Sequence, residues 1–169
     1  MGAMTALVVA SSSTLPQAAI LEDPPLFNVS STPVSAEQSR RTWQWIFDVQ
    51  ALSDKKRQED CHRDNPNWTT EEIEPWSASK DEFHTDIIPY LGTIHVSWRA
   101  LVPAIQCPIL LITGDPQRGA IVTPKNAQEM AHLWKQGTVA SIAGAGHSIH
   151  RDRYDATMTA VHTFLNTIH

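Results

Sequence analysis

The chain has 169 residues, 41% of them hydrophobic, and its 13 Lys and Arg against 18 Asp and Glu leave a formal charge of −5. That length favours one domain able to bury roughly two-thirds of its unfolded surface, and the acidic balance excludes a basic stripe that reads nucleic acid. No apolar run approaches the roughly 18 residues of a membrane span, and the N-terminus lacks the basic flank of a secretory signal.

Cys61 and Cys107 lie far apart with no paired spacing, so neither a disulfide framework nor a thiolate metal site is indicated. The expectation is a soluble protein of the reducing cytoplasm, with no membrane or nucleic-acid partner and no cofactor.

In chain order, residues 2–13 carry small and apolar side chains on almost every face, predicting a helix packed over most of its circumference and stopped by Thr14-Leu15-Pro16. Ala18-Ala19-Ile20-Leu21 is a short run without alternation, which suits a strand buried on both faces of a parallel sheet, closed by Glu22-Asp23-Pro24-Pro25. The next stretch, to residue 108, is too long for one crossover helix and holds five of the six tryptophans: Trp43, Trp45, Trp68, Trp76 and Trp98.

Within it, helical periodicity over about 34–60 places Trp45, Val49 and Leu52 on one face, and the charged run Asp54–Asp60 reads as a solvated face. Asn65-Pro66-Asn67 breaks that helix. Thr69 or Thr70 with Glu71-Glu72 starts another, in which Pro75 demands an early position or a kink. A last short helix is expected over Val96–Ala104. The tryptophans read first as anchors of a small helical subdomain and second as a pocket lining.

Ile109–Thr113 is a second strand, ended by Gly114-Asp115-Pro116. Thr123-Pro124 caps and opens a helix that Gln136-Gly137 closes. Thr138–Ile142 is a third strand, ended by Ala143-Gly144-Ala145-Gly146-His147, and Asp152 is placed to cap a final helix to about Thr167 with Met158, Val161, Phe164 and Leu165 as its stripe. This alternation is an α/β pattern.

Chemistry in open α/β sheets gathers at the carboxyl ends of the strands. Here those ends offer Glu22 and Asp23, then Asp115, then His147: two acids and a histidine, as a general base with an orienting carboxylate requires. Asp115 and Asp23 both qualify as that acid, and both also read as turn formers before proline. His150 reads as surface or pocket rim. His84, His95 and His132 show no metal-ligand spacing, so no metal site is expected. The loop Gly114–Gly119 matches neither a P-loop nor a dinucleotide fingerprint, which excludes nucleotide binding.

Glu22-Asp23-Pro24-Pro25 after a strand, Cys107–Asp115, and Gly144-Ala145-Gly146-His147 before a final helix together resemble the last three strands of the α/β-hydrolase family. The resemblance implies a partial α/β-hydrolase fold: about three parallel strands with flanking helices, formed by residues 1–25 and 105–169, and a helical cap inserted as residues 26–104. It implies His147 as general base and Asp115 as the acid, with Asp23 as the alternative acid, although the family's usual acid sits a few residues further on, where Gln117 and Arg118 stand.

Met1-Gly2-Ala3-Met4 resembles the continuation of the family's nucleophile elbow. The nucleophile is then expected one residue before Met1, and the Met1 backbone amide is the oxyanion donor of the intact fold. The implied activity is hydrolysis of an ester or related bond in a small, largely apolar substrate, with the substrate-binding residues unassigned and the chain alone inactive. A non-catalytic remnant or binding module, or one half of a split hydrolase, is the alternative. The first strand is expected to present an apolar edge, open to an N-terminal half or to self-association.

Overall fold

The computed structural model describes residues 2–26, 34–90 and 97–168. Its helices are α1 (Gly2–Ser12), α2 (Ala36–Thr42), α3 (Gln44–Gln50), α4 (Asp54–Asp64), α5 (Thr70–Glu82), α6 (Trp98–Leu101), α7 (Pro124–Leu133), α8 (Ile149–Asp152) and α9 (Tyr154–Leu165). Its strands are β1 (Ala19–Glu22), β2 (Ile109–Thr113) and β3 (Gly137–Ser141). The chain divides into two units, one of Met1–Asn28 with Ser97–His169 and one of Val29–Val96.

In the first unit the strands form a parallel sheet in the order β1-β2-β3, with Ala19 opposite Ile109 and Ile109 opposite Gly137. All five residues of β2 are buried, as a central parallel strand covered on both faces requires. Alternation divides them between two cores. Ile109 and Leu111 pack with Leu7 and Ala10 of α1, Trp98, Val102 and Met130 of α7. Leu110 and Ile112 pack on the other face with Ile142, Ala145, Ile149 and Phe164 of α9. Helices therefore cover both faces of the sheet, the doubly wound arrangement that puts loop chemistry at the carboxyl ends of the strands.

Several sequence expectations shift. Helix α1 buries a single stripe, Leu7 and Ala10, and leaves Val8 and Val9 exposed. Strand β1 lies at the sheet edge, so only Leu21 is buried and Ile20 remains 36% exposed. Residues 97–104 pack with the sheet unit through Trp98 and Val102, instead of with the helical segment expected over 26–104. The final helix is broken at Arg153 into α8 and α9, and its inward residues are Thr157, Ala160, Val161 and Phe164, while Leu165 faces out.

In the second unit the helix expected over 34–60 is three helices. Ser35 and Ser53 each restart the chain by accepting a hydrogen bond from the amide three residues on, Gln38 and Lys56 respectively. The buried position of α3 is Ile46, and Trp45 is exposed. Pro75 sits inside α5. Cys61, Trp68 and Ile73 form a small core with Trp76, so Trp68 and Trp76 do serve as anchors there, edge to face at 6.4 Å. Arg57 is also buried, its guanidinium donating to Ser77 Oγ at 3.1 Å, the Leu52 carbonyl at 3.1 Å and Asp81 at 2.5 Å.

Candidate active site

Asp23 follows β1 directly, with φ of 39°, a left-handed conformation that aspartate tolerates better than most residues. The turn carries its side chain into the first unit, where it is fully buried. Its two oxygens receive three hydrogen bonds: Val122 N–H donates to Oδ1 at 2.8 Å, Ile121 N–H to Oδ2 at 2.8 Å, and His147 Nδ1 lies 2.7 Å from Oδ2. A buried carboxylate is costly unless its lone pairs are occupied, and here two backbone amides and an imidazole occupy them.

His147 ends a loop that follows β3 and is fixed from several directions. Asp115 Oδ2 accepts from Gly144 N–H at 2.7 Å, the Asp115 amide donates to the Ala145 carbonyl at 2.8 Å, and Asp152 Oδ2 accepts from Gly146 N–H at 2.6 Å. Gly144 has φ of 78°, which glycine adopts without strain. Gly114 is equally constrained, because a Cβ there would lie 2.6 Å from the Ala145 carbonyl oxygen.

The His147 side chain is 57% exposed while Asp23 is enclosed. With Nδ1–H donating to Asp23, the neutral ring presents an unprotonated Nε2, the tautomer of a general base. The hydrogen bond that His147 donates to Asp23 raises the His147 pKa above the ordinary 6.5; partial burial opposes this, and the charges of Asp23 and Glu22 add to it.

Of the two acids left open by the sequence, Asp23 is therefore the one in contact with His147, and Asp115 instead braces the histidine loop through Gly144. Asp152, expected as a helix cap, ends α8 and ties down Gly146. Met1 and His95 lie outside the described residues. Among the described residues no group of three or more His, Cys, Asp or Glu side chains can hold a metal ion, and no helix is long and apolar enough to cross a membrane.

One element of the site escaped the sequence reading. Glu22 Oε1 accepts from the His150 amide at 3.0 Å, and His150 Nδ1 lies 2.9 Å from both Glu22 oxygens. The available signal was the pairing of successive acids, Glu22-Asp23, with histidines three residues apart, which is one helical turn.

No protein-family model matches the chain, and no curated protein sequence matches it. Among solved structures, it is similar to the N-formylmaleamic acid deformylase of Pseudomonas putida S16 at 21% identity and a TM-score of 0.70, over 95% of this chain and 62% of that one. It is similar to E-2-(acetamidomethylene)succinate hydrolase at 13% identity and a TM-score of 0.69, over 98% and 63% of the two chains. The enol-lactonase of Burkholderia xenovorans LB400 gives 20% identity and a TM-score of 0.58, over 98% and 63%.

The chain thus spans less than two-thirds of the length of each of these structures, and at such identities the likeness is one of fold. With three parallel strands, helices on both faces and nearly the whole chain matched to hydrolase, deformylase and lactonase structures, these residues form part of an α/β-hydrolase fold.

Proposed function

We propose that the chain carries the histidine–acid half of a hydrolase that cleaves an ester or related bond in a small, largely apolar molecule. The observation that carries this reading is the 2.7 Å contact between His147 Nδ1 and a fully buried Asp23 that two backbone amides hold in place. Neutral His147 takes the proton of the attacking nucleophile at Nε2, and the Asp23 carboxylate stabilises the resulting imidazolium through Nδ1–H. His147 then returns the proton to the leaving oxygen, and a water molecule repeats the cycle on the acyl intermediate. The helical unit Val29–Val96 takes the part of the cap insertion.

The nucleophile is the component that the described residues do not bring to His147. Among them its ring is bonded to Asp23 and to no hydroxyl or thiol. The alternatives to this reading are a non-catalytic binding module and a split enzyme that is active only when mixed with a separate N-terminal half.

The reading frame upstream of Met1 separates them. A strand followed in frame by Gly-x-Ser gives a longer product, expected to hydrolyse short-chain p-nitrophenyl esters. Its rate is expected to fall by roughly 10³–10⁴-fold in both His147→Ala and Asp23→Asn. An unchanged rate in His147→Ala overturns the reading, and stop codons directly upstream favour the binding module.

A further inference from the structure

Helix α8 is one turn long and its N-cap residue, Ser148, makes no side-chain cap hydrogen bond. The first amides of such a helix still need acceptors. Glu22, from a strand 128 residues distant in sequence from His150, provides one by accepting from the His150 amide, and the same carboxylate meets the His150 ring at Nδ1. Two bonds from one side chain thus join the end of β1 to the turn that begins at His147. Glu22 is also the residue before Asp23. The strand end that supplies the partner of His147 therefore also grips the segment that carries His147, at a point three residues beyond it.

We propose that Glu22 is a positioning residue: by holding His150 it fixes the His147–His150 turn so that His147 Nδ1 stays on Asp23. The proposal rests on the reading of His147 and Asp23 given above. It differs from a charge effect, because the acceptor geometry at His150 is what matters. The Glu22 charge adds only a minor push to the His147 titration, behind the Asp23 hydrogen bond, burial and the Asp23 charge.

The test is the tautomer of His147, read from its ring nitrogens by long-range proton–nitrogen correlation in the uniformly labelled 169-residue chain above the titration of the ring. In the wild type the neutral ring is protonated at Nδ1. Glu22→Ala is expected to lose that single state, with the Nε2-protonated form appearing beside it. Glu22→Gln keeps an acceptor for His150 without the charge and is expected to restore the wild-type pattern. Glu22→Met fills the same volume with no acceptor and gives the reading if Glu22→Ala does not fold.

The proposal is overturned if the variants without an acceptor keep His147 wholly protonated at Nδ1, or if Glu22→Gln behaves like Glu22→Ala. Asp23→Asn distinguishes the two levels of the argument: if it leaves both the His147 tautomer and the stability of the chain unchanged, the His147–Asp23 reading itself fails.

Discussion

Replacing Asp23 by asparagine keeps the shape of the side chain and, because asparagine also tolerates the left-handed φ of 39°, keeps the backbone unstrained. What changes is the number of acceptors. Three donors, Ile121 N–H, Val122 N–H and His147 Nδ1–H, now share two oxygens, and asparagine offers one oxygen and an NH₂ group.

If the oxygen stays on Ile121 and His147, the NH₂ group faces Val122 N–H and leaves that buried amide unsatisfied. If it stays on Val122, the NH₂ group faces both Ile121 N–H and the imidazole, which must then carry its proton on Nε2. Either arrangement orphans an amide, that of buried Val122 or half-buried Ile121, at about 1–3 kcal/mol, and replaces charge-assisted bonds by weaker neutral ones, for a total loss of about 2–4 kcal/mol. Urea unfolding at a pH above the titration of the ring measures the loss. A change below about 0.5 kcal/mol, the range of inert surface substitutions, together with an Nδ1-protonated His147, would refute the reasoning.

The raised pKa of His147 makes the His147–Asp23 pair contribute stability that is fully present below the ordinary histidine value of 6.5 and is lost as pH rises through the higher folded value. The thermal midpoint of the wild type should therefore fall across that window relative to His147→Gln, and parallel pH profiles would contradict the assignment. At Asp115 the bond to the Gly144 amide predicts that Asp115→Asn, which retains an acceptor, stays near wild type, while Asp115→Ala loses about 1 kcal/mol. Neither variant should move the His147 tautomer in ring-nitrogen spectra. In the second unit, Arg57→Met should cost about 2–3 kcal/mol, since it removes three hydrogen bonds from a buried side chain; retention of the helical signal at the wild-type urea midpoint would show that the network is dispensable.

The sequence was most legible where one physical demand dominated. Ile109–Thr113 has only residues suited to burial on both faces, and the expected strand coincides with β2. Thr123-Pro124 states a helix start without ambiguity, and the Thr123 hydroxyl does accept from Asn126 N–H. The break between α3 and α4 was harder to see, since the charged residues after Ser53 continue a helical composition and only the serine marks the restart.

The site was legible as a set of strand ends but not as a pairing. Asp23 and Asp115 both precede prolines, and both carboxylates end up bonded to backbone amides. What decides between them is the backbone turn at Asp23, which aims one carboxylate at a histidine 124 residues away in sequence; no local pattern encodes that direction. The circumference of α1 misled for a related reason. Its small residues are compatible with packing on every side, yet only one side meets the sheet.

Strand β1 delivers both carboxylates of the site, and among the described residues it is laddered on one side only, against β2. Its amides at Ala19 and Asp23 are bonded to Pro108 and Ile112, so those of Ile20 and Glu22 between them point to the open edge, as the alternation of a strand requires. One of the two outer strands of the sheet is thus the backbone on which the His147 partner depends. Fraying at this edge is therefore expected to loosen the hold of Asp23 on the imidazole as well.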